Sequence, residues 1–517
     1  MARITIDALM QQTGIPFGTS GIRGLATSLT DQVCYLYATA FFQYVQSIQV
    51  PSSDASPDNR LIAISGDLRS STSRIIRAVV RAAQDFGLIA LDCGRFPTPA
   101  LAHYAIQQQI PAIMVTGSHV SEDRNGLKFF IPSGEILKSD EKAIRDQNVE
   151  LVTEIFDDTG NLRHDEYPHW GATDDGAMAQ AYYSRYVDSF PANCLEGIRI
   201  GFLAHSTVAR DILGDMYESL GAEVVRMGRI ERFIPIDTEA VSMELTEYVR
   251  QWATMGHFDV ILSADGDGDR PLIFDEQGEL IPGDIAGMVT AMFLNADTVV
   301  TPITSNTALE IAWIFPKIIR TKVGSAYVLE GMNQARQEGG NLVVGYEANG
   351  GFMINSPIPL LERFQKMGIP ESPKNEILLP LPTRDPAIVH LAMMLTAKQL
   401  KKPYSVFHSM FPQRVTKSER IVDFPTELAC ETLARLQTPD GETYPQIETA
   451  FSEFGQLTGV DLTDGLRMTF GNKDIIHLRP SGNAPEFRCY VETESEQRSQ
   501  EILHVCLGMM KSWYKTN

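Results

Sequence analysis

Cysteine, long apolar runs and positive charge are all scarce in this sequence. Its 517 residues include six cysteines, which are scattered and form no C-x-x-C pair, so we expect reduced thiols rather than a disulfide framework or a zinc site. No run of about 18 apolar residues, the length that spans a membrane, occurs. The N-terminal sequence MARITIDALMQQ lacks the apolar core of a cleavable signal. These absences predict a cytoplasmic protein without a membrane partner.

The charge balance narrows the range of partners further. Lys and Arg total 44 against 65 Asp and Glu, a formal net charge of −21. This excess argues against nucleic acid or an anionic membrane as the main partner. Any anionic substrate must therefore be held by local basic groups. The length suggests roughly three or four domains.

A pattern of strand, helix, strand, helix, strand and polar loop occurs three times. The first copy starts at the apolar run 61–65, continues through a helix with apolar residues at helical spacing between Ile75 and Phe86, and ends at 112–116. The second runs from 198–203 to 260–263, and the third from 298–301 to 342–345. Alternating strands and helices predict α/β layers, whose ligand loops lie at the carboxyl ends of the strands.

The last hundred or so residues break this rhythm. Short β-like runs at 466–470, 476–478 and 487–491 lead into an amphipathic helix around 502–513, which predicts a smaller α+β domain. The predicted fold is therefore three successive α/β domains with mixed sheets plus a smaller C-terminal α+β domain. The predicted boundaries give domains 1–170, 171–285, 286–405 and 406–517. The Pro-rich stretch 357–386 is either an excursion within the third domain or a linker.

The first polar loop carries a candidate nucleophile. Ser118 follows Thr116 and Gly117 at the end of an apolar strand, where its hydroxyl would be exposed. A serine hydroxyl is a poor nucleophile without a base or an electrophilic partner. Lys128, which lies nearby in Asn-Gly-Leu-Lys, offers a cation. An ordinary strand-to-loop turn is the competing interpretation.

The second loop carries a candidate metal site. Asp265, Asp267 and Asp269 form D-G-D-G-D followed by Arg270. Carboxylates at alternate positions repel each other unless a cation neutralises them, and oxygen ligands suit magnesium or calcium. Arg270 stands where an EF-hand needs glycine, and the flanking segments read as strands, which excludes that motif. A solvated acidic turn is the alternative.

Three further loops offer groups for a sugar phosphate. Glu347 and Asn349 lie in a glycine-rich loop and could hydrogen-bond sugar hydroxyls. A later loop could hold a phosphate dianion with guanidinium groups and backbone amides; its candidate residues are Arg479, Ser481, Gly482, Asn483 and Arg488. Arg23 lies in a small-residue turn near the N-terminus. Each loop alone is also compatible with a plain turn, so the prediction of function depends on their combination and order.

Together these motifs resemble the α-D-phosphohexomutase superfamily over nearly the whole chain. Its members include phosphomannomutases, phosphoglucomutases and phosphoglucosamine mutases. The resemblance implies three α/β domains and a smaller α+β domain around one central cleft. It also implies Mg²⁺ as cofactor, hexose phosphates as substrates, and a hexose 1,6-bisphosphate as activator and intermediate. A monomer or homodimer is expected.

The resemblance also implies roles for individual residues. Ser118 would carry the transferable phosphoryl group and complete a metal site with Asp265, Asp267 and Asp269. Glu347 would bind the sugar, and the loop from Arg479 to Arg488 would bind the non-reacting phosphate. The remaining positions match residues near the reacting phosphate, with Lys128 or His119 as the proton carrier: Arg23, His119, Lys128 and Arg270.

Four departures from the family pattern limit this comparison. The serine loop reads Ser118-His119-Val120-Ser121 rather than Ser-His-Asn-Pro, Asn349 replaces a common serine, and Asn483 a common threonine. Lys322-Val323-Gly324 is followed by Ser325, where some relatives carry a histidine, so the acid or base is not assigned. Among these activities, the resemblance favours that of a phosphomannomutase that also acts on glucose phosphates. The alternatives are a phosphoglucosamine mutase, a magnesium-dependent sugar phosphatase and a non-catalytic sugar-phosphate sensor.

Overall fold

The chain forms two compact units in a computed structural model that describes residues 2–18, 21–48, 60–369, 371–437, 444–481 and 486–515. The first unit comprises Met1–Val299 and Gly324–His408, and the second comprises Val300–Val323 and Ser409–Asn517. The mixed α/β class predicted from the sequence is confirmed. The division into four domains stays a prediction. Among the helices of the described residues, none is long and apolar enough to cross a membrane.

The N-terminal part of the first unit is built around a seven-stranded mixed sheet with the order β2-β6-β5-β3-β4-β9 and β7 beside β6. β3 pairs in parallel with β4 and β5, whereas β6 is antiparallel to β5 and β2. The elements of this part are β1 (Arg3–Thr5), α1 (Ile6–Thr13), β2 (Gly21–Leu25), α2 (Asp31–Ile48), β3 (Leu61–Gly66), α3 (Thr72–Asp85), β4 (Ile89–Asp92), α4 (Thr98–Gln108), β5 (Ala112–Val115), β6 (Arg124–Ile131), β7 (Gly134–Glu135), α5 (Lys138–Arg145), β8 (Asn148–Glu150) and β9 (Ala172–Thr173).

Apolar residues on one face of α2 and α3 form the core on this sheet. Val79, Ala83 and Phe41 are fully buried there, because α3 presents its apolar residues at helical spacing. The predicted strand and helix of the first copy are thus confirmed within a residue or two. The edge strand β9 comes from residues beyond the predicted boundary near 170.

The second α/β module repeats the pattern with a four-stranded sheet ordered β11-β10-β12-β13. β10 pairs in parallel with β11 and β12, and β13 returns antiparallel to β12. The strands on both sides of the aspartate turn confirm the argument against an EF-hand. The elements are α6 (Ala177–Val187), β10 (Arg199–Leu203), α7 (Ile212–Ser219), β11 (Glu223–Met227), α8 (Met243–Gly256), β12 (Val260–Ala264) and β13 (Pro271–Phe274).

The third copy of the pattern begins at β14 (Thr298–Pro302) and ends at the hairpin of β16 and β17, which pair antiparallel. The Pro-rich stretch after it forms a short hairpin of β18 and β19 and belongs to the first unit. First-unit elements of this region are α9 (Gly283–Phe293), α11 (Ser325–Gln337), β16 (Val343–Tyr346), β17 (Phe352–Ile354), β18 (Ile358–Pro359), α12 (Leu361–Lys366), β19 (Ile377–Leu378) and α13 (Pro386–Leu400); α10 (Ala308–Ile311) and β15 (Lys317–Thr321) belong to the second unit.

The rest of the second unit is an antiparallel five-stranded sheet ordered β20-β24-β23-β22-β21. Its core includes Ile502, Cys506 and Met510 from the last helix, as the sequence predicted. The elements are β20 (Val415–Val422), α14 (Thr426–Leu436), α15 (Pro445–Ala450), β21 (Leu457–Asp461), β22 (Leu466–Phe470), β23 (Ile475–Pro480), β24 (Glu486–Thr493) and α16 (Glu496–Lys515).

Candidate active site

The serine loop leaves β5 in a backbone conformation that few side chains adopt. Ser118 has φ 56°, in the left-handed region, which costs about 1–2 kcal/mol for a residue with a Cβ. Its N–H donates to Thr116 Oγ1 at 2.7 Å, and its side chain is buried. A Cβ on Gly117 would lie 2.6 Å from Arg69 Nε, so glycine is needed there. The loop therefore holds one serine hydroxyl in a defined direction.

Arg69, which sequence reasoning missed, fixes this loop from behind. Its guanidinium lies over the Phe233 ring, 3.9 Å from the centroid, and pairs with Asp67 at 3.0 Å. It donates to three loop carbonyls at 2.6–2.7 Å, those of Ser118, Val120 and Ser121. Val120 and Ser121, which stand where the family pattern has Asn-Pro, are thus anchored through their backbone carbonyls. Arg69 and Asp67 follow strand β3 at its carboxyl end, and this position in the sequence could have marked them as candidate site residues.

The aspartate turn lies directly against the serine. Asp265, Asp267 and Asp269 are all fully buried, with one carboxylate oxygen of each within 4.8 Å of the others. Ser118 Oγ donates to Asp265 Oδ2 at 2.9 Å. The structure therefore brings together the four residues predicted as the metal site.

The chemistry of the donor set fits a divalent cation. Asp267 Oδ1 and Asp269 Oδ1 are buried and have no hydrogen-bond partner among the described residues, which is costly unless a ligand occupies them. Burial and the two neighbouring carboxylates raise the pKa of Asp265 to about 8, so the turn is short of positive charge. Carboxylate oxygens at close range suit Mg²⁺. These three buried aspartates could hold a metal ion.

Lys128 supplies the nearest positive charge. Its Nζ donates to Asp267 Oδ2 at 2.6 Å and to Asp269 Oδ2 at 2.5 Å. Burial alone would lower the pKa of Lys128, but the two carboxylates outweigh it and raise this pKa. Lys128 is thus held as an ammonium ion while it pairs with these carboxylates.

His119 is the better placed proton acceptor. Its Nδ1 lies 3.5 Å from Ser118 Oγ. Burial, followed by Arg270 and Arg23, lowers the pKa of His119 well below its ordinary value. The ring is therefore neutral and can accept a proton. The same surroundings disfavour the protonated ring, so the distance to Ser118, and not the pKa, makes His119 a candidate base.

Arg270 and Arg23 surround the same region with positive charge. Arg270 Nε lies 4.0 Å from Asp265 and 3.9 Å from Asp269, and it has no hydrogen-bond partner among the described residues. Burial and Arg270 lower the pKa of Arg23 to about 10. Arg23 lies on β2, whose pairing with β6 sets Gly21 opposite Lys128. These groups face the reacting region, where a phosphoryl dianion would be neutralised.

Arg384 is the second residue that sequence reasoning missed. It is 3 % exposed and links the metal turn to the sugar loop: Nη2 lies 2.8 Å from Asp269 Oδ2, and Nη1 lies 3.0 Å from Glu347 Oε2. It lies between Thr383 and the helix-capping Asp385, and no pattern in the sequence marks it. The predicted sugar-binding Glu347 is thereby joined to the aspartate turn.

The two polar residues of the sugar loop have different surroundings. The Glu347 N–H donates to the Gly351 carbonyl at 3.0 Å, which closes a tight turn. Asn349 Oδ1 accepts from the Gly351 N–H at 2.9 Å, and the Asn349 carbonyl accepts from Thr238 at 2.9 Å. Asn349 therefore helps to shape the loop through its side-chain oxygen and its backbone carbonyl.

Ser325, which stands where some relatives carry histidine, has a partner of its own. Its Oγ donates to Glu135 Oε1 at 2.8 Å. Burial raises the pKa of Glu135. The position is thus occupied by a buried serine–carboxyl pair that the sequence did not indicate.

The predicted phosphate loop belongs to the second unit. Arg479 Nε donates to Asp464 at 2.7 Å, and Arg488 donates to Glu486 at 2.9 Å. The Ser481 N–H donates to the Glu486 carbonyl at 2.8 Å. Gly482 and Asn483 lie outside the described residues. Both arginines therefore lie on neighbouring strands, and each is paired with a carboxylate. A bound anion would compete with these carboxylates for the guanidinium groups.

The first unit thus holds the parts of a phosphoryl-transfer site. A serine hydroxyl is positioned against carboxylates that suit a divalent cation, and ammonium and guanidinium groups surround it. Such sites act by positioning and by electrostatic stabilisation of the transferred group.

Comparison with known families agrees with this chemistry. The model of phosphoglucomutase/phosphomannomutase, alpha/beta/alpha domain I, matches residues 14–151. That of alpha/beta/alpha domain III of the same family matches residues 282–366. The matched segments contain the serine loop and the sugar loop.

Relatives extend the similarity to almost the whole chain. A phosphomannomutase of Sinorhizobium fredii is 38% identical over 96% of this chain and 99% of its own length. A phosphomannomutase of Salmonella muenchen is 36% identical over 98% and 97%. The crystal structure of a phosphoglucomutase/phosphomannomutase family protein from Burkholderia thailandensis shares the fold with a TM-score of 0.68, at 17% identity over 96% of this chain and 97% of that one.

The chain therefore belongs to the phosphoglucomutase/phosphomannomutase family of the α-D-phosphohexomutase superfamily. Its activity is that of an intramolecular phosphotransferase acting on hexose phosphates.

Proposed function

We propose that this enzyme interconverts mannose 1-phosphate and mannose 6-phosphate, with glucose phosphates as secondary substrates, through phosphoserine at Ser118. The observation that carries this proposal is the contact of Ser118 Oγ with Asp265 at 2.9 Å beside two further buried aspartates. The preference for mannose rests on the two phosphomannomutase relatives.

Asp265, Asp267 and Asp269, together with Ser118, would hold Mg²⁺. Bound there, the ion would neutralise charge on the transferred phosphoryl group.

In the first half-reaction the free hydroxyl of the hexose phosphate attacks phosphorus, and Ser118 Oγ leaves as the P–O bond breaks. His119, whose Nδ1 lies 3.5 Å from Ser118 Oγ, accepts the hydroxyl proton. Arg270 and Lys128 neutralise the phosphoryl oxygens. The product is a hexose 1,6-bisphosphate, which returns its other phosphate to Ser118 in the second half-reaction.

Glu347 would accept hydrogen bonds from sugar hydroxyls, oriented by Arg384 at 3.0 Å. The proposed role of Arg479, Ser481, Asn483 and Arg488 is to bind the phosphate that does not react. Two guanidinium groups suit a dianion because each can donate two parallel hydrogen bonds.

The test is a coupled assay on mannose 1-phosphate, glucose 1-phosphate and glucosamine 1-phosphate, with Mg²⁺ and the matching 1,6-bisphosphate present. We expect mannose 1-phosphate to give the highest kcat/KM, no release of free phosphate, and loss of activity with a chelator. Ser118→Ala should abolish turnover while its cooperative unfolding stays intact. Faster turnover of glucosamine 1-phosphate would refute the substrate assignment. Phosphate release without isomerisation would indicate a phosphatase.

A further inference from the structure

A second cavity in the first unit lies between helices α4 and α6 and the segment 374–379. Its volume is about 550 Å³, within the range of small-molecule sites. None of the residues assigned above to the active site lines it. We call it the α4–α6 pocket; its polar lining includes His103, Gln107, Ser184, Arg185, Lys374 and Asn375.

Two buried polar atoms in this lining have no partner. Among the described residues, neither His103 Nε2 nor Arg185 Nε makes a hydrogen bond, although each residue is only 6 % exposed. Leaving a buried donor or acceptor unpaired costs about 1–3 kcal/mol. Both residues line the pocket, so a ligand bound there could supply the missing partners.

The two atoms require opposite hydrogen-bonding roles. Burial, followed by Arg185, lowers the pKa of His103 to about 3, and the ring bonds to the Ala181 backbone. A neutral ring that donates its one N–H to a carbonyl leaves Nε2 as an acceptor. Arg185 donates from Nη2 to the Leu379 carbonyl at 2.8 Å, so its Nε–H is a remaining donor. A hydroxyl group can serve both, because it donates and accepts.

The charged residues that line the pocket are two cations and two carboxylates: Arg185, Lys374, Asp188 and Glu376. Arg185 is the one buried charge among the described residues that line it. Asp188 is paired with Lys374 at 2.7 Å, and Glu376 is exposed and therefore screened by solvent. Lys374 is 79% exposed, so it could contact a ligand by leaving Asp188, whose carboxylate is partly exposed and would then be hydrated.

We propose that the α4–α6 pocket binds a small hydroxylated anion, a phosphate monoester or a hydroxycarboxylate, through His103, Arg185 and Lys374. The ligand hydroxyl donates to His103 Nε2, and the ligand's anionic oxygens accept from Arg185 and Lys374. A single water bridging the two buried atoms is the competing explanation. One water occupies about 30 Å³ in the liquid, far less than the cavity.

The two helices that line the pocket, α4 and α6, also contact residues of the active site or their neighbours. Helix α4 begins at Thr98, whose Oγ1 donates to Asp267 at 2.8 Å. On α6, the Tyr186 hydroxyl donates to Asp385 at 2.5 Å, next to Arg384. The pocket variants at His103 and Lys374 must therefore be shown to keep turnover before their binding is compared.

The experiment is calorimetric titration of the full chain with glycerol 3-phosphate and, separately, with malate. The variants are His103→Leu and Lys374→Gln. The matched control is Lys142→Gln, since Lys142 is also exposed and paired with an aspartate at 2.8 Å. Arg479→Ala tests whether the probe binds at the phosphate loop instead.

We expect saturable one-to-one binding of at least one probe, and the better probe identifies the anion class. His103→Leu should weaken it about tenfold, the effect of one lost hydrogen bond. Lys374→Gln should weaken it about threefold, and Lys142→Gln and Arg479→Ala should leave it unchanged. Absence of binding by both probes, or binding that only Arg479→Ala removes, would overturn the proposal.

Discussion

Arg384 offers the sharpest test of how the site is assembled, because it hydrogen-bonds both to Glu347 of the sugar loop and to Asp269 of the aspartate turn. Its guanidinium contacts Asp269 with Nε at 3.0 Å and Nη2 at 2.8 Å, and Glu347 with Nη1 at 3.0 Å. Arg384→Lys keeps one positive charge, which can reach Asp269 but cannot hold both carboxylates in the same fixed geometry.

The expected loss follows from these contacts. A hydrogen bond to a charged group contributes about 1.5–3 kcal/mol. If the contact with Glu347 contributes about 2 kcal/mol and is expressed in the transition state, Arg384→Lys lowers kcat/KM about 30-fold. Arg384→Met removes the cation and leaves the buried carboxylates of Asp269 and Glu347 without it. Breaking a buried ion pair in this way costs about 3–5 kcal/mol in the free energy of unfolding.

The assay is a double-mutant cycle on mannose 1-phosphate turnover with Arg384→Lys, Glu347→Gln and the double variant. If Arg384 acts by orienting Glu347, the two changes are coupled by about 2 kcal/mol, since the second adds little once the first is made. Additivity within about 0.5 kcal/mol would refute the reasoning. Urea unfolding of each variant separates loss of stability from loss of orientation.

Three further changes have outcomes that the structure predicts. Gly117→Ala would set a Cβ 2.6 Å from Nε of the buried Arg69, so we expect lower stability and activity. Gly508→Ala, in a helix with nothing within 4 Å, should instead stabilise by about 0.5–1 kcal/mol; equal effects in unfolding experiments would contradict the steric argument. Burial lowers the pKa of His390 to about 3, so the unfolded chain binds a proton first as pH falls, and this residue should contribute about 2 kcal/mol of the stability lost from pH 7 to 5; His103 and His205, whose pKa values burial also lowers, add to the loss. His390→Gln should remove that one share of the pH dependence, and an unchanged slope would show that other groups cause all of it. Arg479→Ala should raise the KM for hexose phosphates more than it lowers kcat; an unchanged KM would remove its proposed role.

The sequence predicted the repeated α/β pattern well because each buried strand is a short apolar run followed by a polar loop. β5, β12 and β16 all end within about two residues of their predicted ends. The rule that ligands bind at the carboxyl ends of such strands was enough to select Ser118 and the aspartate turn. Local pattern was sufficient there because the strand and its loop are adjacent in the chain.

Residues that act through distant contacts could not be predicted in the same way. Arg384 is 115 positions from Asp269, and Glu135 is 190 positions from Ser325. Such pairs are set by how the modules pack, which no periodicity encodes. Arg69 is intermediate, since it follows a predicted strand but its acceptors are backbone carbonyls that carry no side-chain signal.

The charge balance of the site explains why its residues depend on one another. Beside Glu135, whose pKa burial raises toward the neutral form, four carboxylates and four cationic groups interact in the first unit: Asp265, Asp267, Asp269 and Glu347, with Arg23, Lys128, Arg270 and Arg384. Their formal charges cancel, and a divalent cation together with a phosphoryl dianion on Ser118 would leave that balance unchanged. Either one alone would place two uncompensated charges in a buried site, which is unfavourable at low dielectric. The raised pKa of Asp265 indicates that the chain's own cations do not fully satisfy the aspartate turn. Cation binding and phosphorylation of Ser118 should therefore favour each other.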